Sequence, residues 1–256
     1  MDERKILDLF SLEGKVAIVT GGAGRLGKDH IEILAAAGAR VCSFDIAKSD
    51  NLPTSVSQYV VDITDQHSVS DAVGRVILRC GVVDILINNA ALNPKVGSDA
   101  TEFDDMLFAP YEAVSSEVWK KEVAVGLSGA HYCSQAVAPA MIEQGRGCIV
   151  NIASTSAITA PDHRKYEEGR FKSAAYPVVK SALLGLTRTW ASYFASRAPG
   201  VRVNSVSFGS VNFGKMEPEF LAKLGERNML GRPALPGEYQ GTILYLCSDA
   251  AKFMTA

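Results

Sequence analysis

A tyrosine and a lysine four residues apart, Tyr176 and Lys180, are the residues of this sequence best suited to acid–base chemistry. They stand at the start of a helical pattern, where positions four apart face the same way. A tyrosine with a pKa of about 10 is a poor acid or base at neutral pH, but an adjacent ammonium favours its phenolate form. The preceding strand-like run ends at Ser154, whose hydroxyl can hydrogen-bond a carbonyl or alcohol oxygen. The three residues together indicate proton transfer at such an oxygen.

A glycine-rich turn near the N-terminus predicts a binding site for a dinucleotide. Gly22, Gly24 and Gly27 spell G-x-G-x-x-G between a β-rich run and a helical pattern. Glycine permits positive φ and lets the backbone approach a pyrophosphate, while the helix start offers N–H groups to the phosphates. A second strand-like run ends in Asp45, where a carboxylate would accept hydrogen bonds from the adenosine ribose. The alternative is a glycine turn beside an ordinary surface aspartate.

Length, composition and charge limit the class of protein. The chain has 256 residues, of which 47% are hydrophobic and 21% charged, as in an ordinary soluble α/β protein. Its 26 Lys and Arg against 28 Asp and Glu give a net charge of −2, which argues against a nucleic-acid or membrane-surface partner. We find no apolar run of the roughly 20 residues that a membrane span needs. The charged N-terminus does not resemble an export signal, so we expect a cytoplasmic location.

Cysteines and histidines give no sign of a metal site. The five cysteines are odd in number and contain no C-x-x-C pair, which indicates reduced and mostly buried thiols. The four histidines have no metal-ligand spacing with each other or with the cysteines. We therefore expect no metal.

Strand-like and helical patterns alternate along the chain. The predicted strands are residues 15–20, 40–45, 57–61, 83–88, 147–153 and 201–206. The predicted helices are residues 25–37, 66–80, 115–143, 175–197 and 237–248. This alternation is typical of an α/β protein with a doubly wound parallel sheet, a Rossmann-like three-layer α/β/α architecture. No linker or repeat divides the chain, so we predict a single domain over residues 1–256.

Three irregular stretches, residues 91–114, 157–175 and 207–236, interrupt this alternation. Each follows a strand and should lie at the carboxyl edge of the sheet, where ligands bind in open α/β sheets. The stretch 157–175 carries a basic run, His163-Arg164-Lys165 with Arg170 and Lys172. These residues suit an anionic substrate such as a sugar phosphate or a nucleotide sugar. A solvated loop balanced by neighbouring acids is an equally good interpretation.

These motifs, in this order, resemble those of the short-chain dehydrogenase/reductase family over essentially the whole chain. The glycine turn, Asp62-Ile63 and Asn88-Asn89-Ala90-Ala91 resemble its cofactor-binding segments. Ser154, Tyr176 and Lys180 coincide with its catalytic set, and Arg202-Val203-Asn204 with Gly209 resembles its R-V-N segment. There is a weaker similarity to members from bacterial surface-sugar biosynthesis.

The resemblance implies an NAD-dependent oxidoreductase that interconverts an alcohol and a carbonyl by hydride transfer. Tyr176 would be the general acid/base, Lys180 would lower its pKa and hold the nicotinamide ribose, and Ser154 would orient the substrate oxygen. Asp45 would favour NAD by repelling a 2′-phosphate. The implied cofactor-binding residues are Gly21, Gly24, Arg25, Leu26, Gly27, Asp45, Ile46, Asp62, Ile63, Asn89, Ala90, Tyr176, Lys180, Gly209 and Val211.

The sequence departs from the family pattern at several positions. Arg25 stands at a usual glycine, Ala91 replaces the glycine of N-N-A-G, and Phe208 replaces a proline. Gly126 stands where the family often has an asparagine that supports a proton-relay water. Ser154 and Tyr176 are 22 positions apart rather than about a dozen, which predicts an enlarged active-site loop at 157–175 and, beside it, a substrate loop at 207–236. The chain stops at Ala256, where the family continues into a last strand; we expect a truncation or a differently built edge.

Other functions remain open at this point. The substrate could be a sugar or sugar phosphate, or a carrier-bound 3-oxoacyl group, although the latter predicts NADPH rather than NAD. A cofactor-binding protein with a regulatory or scaffold function is a further alternative. Apolar residues on more than one face of the helices near 115–143 and 175–197, among them Ala130, Leu183, Trp190 and Phe194, predict a homo-oligomer, a tetramer or a dimer.

Overall fold

Six segments of the sequence form β-strands in the computed structural model of the protein, which describes residues 3–94 and 101–256. They are β1 (Val16–Thr20), β2 (Arg40–Asp45), β3 (Ser57–Val60), β4 (Ile85–Asn88), β5 (Gly147–Ser154) and β6 (Val201–Phe208). All pair in parallel, in the order β3-β2-β1-β4-β5-β6. Every predicted strand is present, and the ends differ from the prediction by no more than two residues.

Helices connect the strands and flank the sheet. They are α1 (Glu3–Phe10), α2 (Arg25–Ala36), α3 (Gln66–Cys80), α4 (Glu102–Met106), α5 (Ser116–Val123), α6 (Gly129–Gln144), α7 (Ala175–Arg197), α8 (Pro218–Glu226) and α9 (Gln240–Cys247). A π-helical turn, Ala124–Ser128, joins α5 to α6, so the predicted helix 115–143 is one helical stretch with a local change of pitch. In the described parts of the chain, no helix is both long and apolar enough to cross a membrane.

Three of these helices were not predicted. The first, α1, precedes the first strand, whereas α4 and α8 lie within stretches that the sequence analysis takes as irregular. Both of the latter carry start signals that could have identified them. Thr101 and Asp104 form a reciprocal capping box at the start of α4, and Pro218 occupies the first turn of α8.

Apolar side chains cover both faces of the sheet, which makes the protein a three-layer sandwich. Successive residues of a strand point to opposite faces, and β1 shows this directly. Val16 and Ile18 pack with residues of α3, α6 and α7, while Ala17 and Val19 pack with residues of α2 and α9. A strand that is buried on both faces must be apolar throughout, as a doubly wound sheet requires. The predicted Rossmann-like fold and single domain are therefore confirmed.

The strand order reverses between β1 and β4, and this creates a crevice at the carboxyl edge of the sheet. Val19 of β1 lies beside Ile87 of β4, so the two strands end at the same level. The chain leaves β1 toward α2 on one face and returns to β4 from α3 on the other. The crevice at such a reversal is where open α/β sheets bind ligands.

The residues that suggested a subunit interface lie largely in the core of the single chain. Ala130, Leu183, Trp190 and Phe194 are all buried against the sheet or its neighbouring helices. Val123, Val125, Tyr132 and Leu186, apolar residues of the same helical stretches that also suggested the interface, are half-buried. The homo-oligomer stays a prediction.

The close approach of α2 to the glycine turn gives a first testable prediction. A Cβ added at Gly27 would collide with the carbonyl oxygen of Gly21 and would lie 2.8 Å from Cα of Gly22. We expect Gly27→Ala to lower the free energy of unfolding by about 1–3 kcal/mol, because backbone atoms cannot move aside easily. Urea unfolding followed by circular dichroism measures this change.

Gly74→Ala is the matched control for that substitution. Gly74 lies on the exposed side of α3, where an added Cβ meets nothing within 4 Å. We expect it to raise the free energy of unfolding by about 0.5–1 kcal/mol, since alanine favours a helix interior over glycine. A Gly27→Ala protein as stable as the original would contradict the prediction.

Candidate active site

The glycine turn is held at the end of β1 by backbone hydrogen bonds. Gly21 has φ +64°, a left-handed conformation that favours glycine, and its N–H donates to Phe44 O at 2.8 Å. Gly24 N donates to Gly21 O at 3.1 Å and caps α2, with no side chain bonded to the helix N-terminus and no acidic residue in the first turn. The first N–H groups of α2 thus point from an uncapped helix start.

The segment after β4 supports this turn from the other side. The Asn89 side-chain amide donates to Thr20 O at 2.9 Å and to Gly21 O at 3.2 Å. The Thr20 hydroxyl accepts hydrogen bonds from the backbone N–H groups of Asn89 and Ala90 at 3.0 and 3.1 Å. A Cβ at Gly21 would lie 2.9 Å from Cα of Ala90, so two backbones touch at this point. The two predicted cofactor segments therefore meet in the crevice.

Asp45 lies where the sequence analysis expects it, beside the glycine turn. Its Oδ2 accepts a hydrogen bond from Ala23 N at 3.0 Å. Of the neighbouring candidates, Ile46 has 74% of its surface exposed and Ile63 is buried, where it packs against Gly129. Asp62 is exposed, and its Oδ1 accepts hydrogen bonds from the N–H and hydroxyl of Thr64. The side chains of these residues surround the carboxyl ends of β2 and β3.

The remaining cofactor candidates lie at the far side of the crevice. Gly209 follows β6, and its N–H donates to the Tyr239 hydroxyl at 3.2 Å. The ring of Tyr239 stacks on Phe208, with centroids 4.1 Å apart. Val211 pairs with Ala234 in an isolated parallel bridge, and the Arg25 guanidinium lies 5.7 Å from the ring centroid of Phe213. The loop after β6 thus reaches across to the start of α2, where Leu26 is packed beneath the turn.

A dinucleotide suits these residues by the shape of the crevice. Gly21, Gly22 and Gly27 each stand where a Cβ would press on a neighbouring protein atom, so the turn, β2, α2 and the segment after β4 pack closely together. The uncapped start of α2 could offer N–H groups to phosphates, and Asp45 holds a carboxylate beside the turn, where a ribose hydroxyl could bind. Among the described residues, no cluster of His, Cys, Asp or Glu could hold a metal ion.

Ser154, Tyr176 and Lys180 come together at the end of β5. Ser154 is the last residue of that strand, and its hydroxyl is close enough to the Tyr176 phenol to lower the pKa of that group. Tyr176 lies on the first turn of α7, and its N–H donates to Ser173 Oγ at 3.4 Å. Lys180 is 3% exposed, and its Nζ donates to Ile152 O at 2.6 Å, 5.6 Å from the Tyr176 ring centroid. The helix spacing and the strand end therefore bring the predicted set into one site.

Burial controls the ionisation of this set. Burial raises the pKa of Tyr176, and the neighbouring Ser154 hydroxyl acts in the opposite direction. Burial also lowers the pKa of Lys180 to about 8. The sequence analysis expects Lys180 to lower the pKa of Tyr176, but here the net shift of the tyrosine is upward. The phenol is therefore protonated at neutral pH in this state of the protein.

The position that lacks the usual asparagine is filled from α7. Gly126 is buried in the π-helical turn, and a Cβ added there would lie 2.5 Å from Cγ1 of Val179. Val179 directly precedes Lys180, so its methyl groups occupy the wall of the site next to the lysine. Val179 therefore fits in this position only because Gly126 has no side chain.

One acidic residue of the site is missing from the sequence-based predictions. Glu122 is 3% exposed and lines a small cavity together with Gly126, Tyr176 and Lys180. Its Oε2 accepts a hydrogen bond from Ser173 Oγ at 2.5 Å. Glu122 stands four positions before Gly126 on one helical stretch, and this spacing was the available signal that it faces the same way.

The enlarged loop at 157–175 is packed against its neighbours through aromatic rings. Tyr166 lies between Phe108 and Phe220, with ring centroids 5.3 and 5.6 Å away. His163 contacts Phe171, with 5.5 Å between ring centroids, and Phe171 N donates to Phe108 O at 2.9 Å. The loop therefore forms one wall with the segment before α5 and with α8. Residues 95–100 of the predicted irregular stretch lie outside the described residues.

Ion pairs separate the members of the basic run. Arg164 pairs with Asp162 at 2.8 Å, and Arg170 pairs with Asp105 at 2.8 Å. Lys172 is placed differently, since its Nζ lies 3.8 Å from the ring centroid of Tyr176 and donates to Asn93 Oδ1 at 2.5 Å. Burial, aided by the charges of Lys165 and Lys180, lowers the pKa of Lys172 to about 7. Lys172 is the member of the run that reaches the site.

Comparison with known proteins gives matches along the whole chain. The family model described as enoyl-(acyl carrier protein) reductase matches residues 22–256. The 3-oxoacyl-(acyl-carrier-protein) reductase FabG of Thermotoga maritima is 32% identical, over 95% of this chain and 94% of the relative. The D-threitol dehydrogenase of Mycolicibacterium smegmatis is 30% identical, over 94% of this chain and 89% of the relative.

Solved structures with the same fold carry nicotinamide cofactors of both kinds. A short chain dehydrogenase from Leptospira borgpetersenii with bound NAD+ has a TM-score of 0.85 and 25% identity, covering 100% of this chain and 93% of its own. A gluconate 5-dehydrogenase from Burkholderia cenocepacia in complex with NADP and tartrate has a TM-score of 0.81 and 26% identity, covering 98% of this chain and 94% of its own.

The packing of Gly126 on Val179 gives a second prediction. We expect Gly126→Asn to lower the free energy of unfolding by about 1–3 kcal/mol, because the new side chain overlaps Val179. Adding Val179→Ala should recover most of this loss, since the overlapping methyl groups are removed. Thermal unfolding of the two variants and of Val179→Ala alone measures the coupling. If the changes in stability of Gly126→Asn and Val179→Ala simply add in the double variant, the contact between the two positions does not cause the loss, and the prediction is wrong.

Proposed function

The chain belongs to the short-chain dehydrogenase/reductase family, and we propose that it is an NAD-dependent enzyme that interconverts an alcohol and a carbonyl, with Tyr176 as general acid/base. The observation that carries this proposal is the convergence of Ser154, Tyr176 and Lys180 at the end of β5, beside the glycine-lined crevice. A proton donor, a hydrogen-bonding hydroxyl and a cation are thus held by rigid elements where a bound dinucleotide would end.

In this proposal, protein side chains carry out the proton transfer. A nicotinamide cofactor, held by the glycine turn and Asp45, supplies or accepts the hydride when bound. Tyr176 gives its proton to the carbonyl oxygen in reduction and takes the alcohol proton in oxidation. Ser154 orients the same oxygen through its hydroxyl. The Lys180 ammonium, fixed beside Tyr176 by Ile152 O, would hold the nicotinamide ribose.

Asp45 supports a preference for NAD over NADP. Its carboxylate lies at the glycine turn through the hydrogen bond from Ala23 N, so a 2′-phosphate on the adenosine ribose would meet a negative charge. Arg25 is placed toward Phe213 in the loop after β6, which gives no separate argument for a phosphate.

The substrate in this proposal is a small polyhydroxylated molecule, such as a sugar or a sugar phosphate. Lys172 supports a negatively charged substrate group, because its ammonium lies over the ring of Tyr176, whereas Arg164 and Arg170 pair with carboxylates. Several relatives are named for substrates of this chemical class; D-threitol dehydrogenase and sorbose reductase are two of them.

A reductase of carrier-bound 3-oxoacyl groups is the second candidate. The 32% identity to the Thermotoga maritima FabG favours it. It requires NADPH and an acyl-carrier partner, so the choice of cofactor separates the two candidates. A protein that binds NAD but turns over neither polyols, sugars, sugar acids nor 3-oxoacyl thioesters would instead support a regulatory or scaffold function.

The cofactor preference is tested by neutralising Asp45 while keeping its hydrogen bond. We expect NADH to bind at least about tenfold more tightly than NADPH, a difference of about 1.4 kcal/mol. Asp45→Asn should narrow this gap, since the amide oxygen still accepts from Ala23 N but carries no charge. Fluorescence titration with both cofactors gives the dissociation constants. Asp50→Asn, an exposed position after the same strand, should leave the ratio unchanged. Equal or tighter NADPH binding by the original protein would contradict the proposal.

The function of Tyr176 is tested by removing one hydroxyl. Tyr176→Phe should lower turnover of an active polyol or ketose at least about 10²-fold, the usual effect of losing a general acid/base. NADH affinity should stay within a few-fold, because the glycine turn and Asp45 are untouched. Tyr193→Phe is the matched control, since Tyr193 lies on the same helix and is exposed. Near-original activity in Tyr176→Phe would rule out the assignment.

A further inference from the structure

Glu122 is a buried acid with an unsatisfied oxygen inside the site. Oε2 accepts from Ser173 Oγ at 2.5 Å, whereas the buried Oε1 has no hydrogen-bond partner among the described residues. A buried carboxylate oxygen without a partner costs free energy in any protein. The cost indicates that this side chain does more than fill space.

A small cavity connects Glu122 to the acid–base pair. Its lining consists of Ala91, Leu92, Glu122, Gly126, Tyr176, Val179 and Lys180. The cavity has room for about one water molecule, and Glu122, Tyr176 and Lys180 supply polar groups to its wall. Gly126 contributes no side chain, and Val179 covers the space beside it. Glu122 is therefore the acidic group that faces Tyr176 and Lys180 across the cavity.

The charges around Glu122 allow it to gain and lose a proton. Burial raises the pKa of Glu122, while the hydrogen bond from Ser173 and the positive charge of Lys172 act in the opposite direction. Lys172 itself has a pKa of about 7, so its charge also changes near neutrality. The titratable groups that face the carboxylate are thus Lys172 from the enlarged loop and Tyr176 with Lys180 from α7.

We propose that Glu122 exchanges protons with the Tyr176–Lys180 pair across this cavity, as an additional functional residue of the site. The inference rests on the proposed function. In alcohol oxidation the hydride leaves with the cofactor and the hydroxyl proton passes to the Tyr176 phenolate. That proton must leave before the next turnover; the Glu122 carboxylate accepts it and releases it to solvent. In reduction the neutral Glu122 returns one proton to the phenolate that remains after Tyr176 has protonated the carbonyl. Glu122 acts through Tyr176 and does not contact the substrate.

A purely structural explanation of Glu122 predicts a different result for one variant. Ser173 Oγ donates to Glu122 and accepts from Tyr176 N, so Glu122 also anchors the first turn of α7. Glutamine has nearly the same size, and its amide oxygen can accept from Ser173, but it takes up no proton near neutral pH. Glu122→Gln therefore keeps the anchor and removes the proton exchange.

The test compares Glu122→Gln with Glu117→Gln, which removes an exposed acid from the same helix. For Glu122→Gln we expect NADH affinity within about twofold of the original and a melting temperature at least as high. We expect kcat for alcohol oxidation to fall at least tenfold, with the loss of one ionisation from its pH profile. Glu117→Gln should match the original protein. An unchanged kcat and pH profile in Glu122→Gln would overturn the proposal.

A second readout does not depend on turnover. Infrared difference spectra of the NADH complex, recorded against pH, should contain a carboxyl band that titrates above the ordinary value for glutamate, about 4.3. The band should be absent in Glu122→Gln and present in Glu117→Gln. A Glu122 carboxylate that titrates at or below the ordinary value would also overturn the proposal. Full activity in Tyr176→Phe would instead defeat the proposed function, so the two failures are distinguishable.

Discussion

A chain of buried amide hydrogen bonds joins the four elements on which the site is built. Asn88 at the end of β4 donates to Asn151 Oδ1 of β5 at 2.8 Å and to Ser134 Oγ of α6 at 3.2 Å. Asn151 in turn donates to Thr187 Oγ1 of α7 at 2.9 Å. All four side chains are almost fully buried, so loss of any one would leave a partner unsatisfied, at a cost of about 1–3 kcal/mol. Asn89 directly follows Asn88, Ser154 ends β5 and Tyr176 lies on α7, so the chain fixes the elements that carry these three residues.

The electrostatics of the site depend on the buried charged side chains that have no ion-pair partner of opposite charge within salt-bridge distance among the described residues. Around the rim, Arg164 and Arg170 are compensated by Asp162 and Asp105, and such exposed pairs contribute little to stability. Inside, Lys172, Lys180 and Glu122 are held by single hydrogen bonds to Asn93, Ile152 O and Ser173. Burial shifts the pKa of each of the three toward neutrality. Perturbed groups that gather in one crevice are characteristic of functional sites.

Much of this arrangement follows from local sequence patterns. The G-x-G-x-x-G turn, the acid at the end of β2 and the four-residue spacing of Tyr176 and Lys180 are each set by a few adjacent residues, and the alternating strands place them at one edge. Contacts between distant segments were beyond that reasoning. Nothing local to Lys172 shows that it reaches Asn93 and the Tyr176 ring, or that Arg170 pairs with Asp105 instead. Glu122 was missed because an acid on an otherwise amphipathic helix is usually exposed, and only its neighbours in the fold bury it.

The aromatic packing of the enlarged loop has a consequence for recognition. A long loop beside Tyr176 would ordinarily be a flexible segment, and ordering it around a ligand would cost conformational entropy. Here Tyr166 is already held between Phe108 and Phe220, and Phe171 is tied to Phe108 by a backbone hydrogen bond. The loop therefore loses its conformational entropy when the chain folds and not when a ligand binds. Under the proposed function, a small substrate with few contacts would meet a preorganised wall whose shape excludes molecules that do not fit.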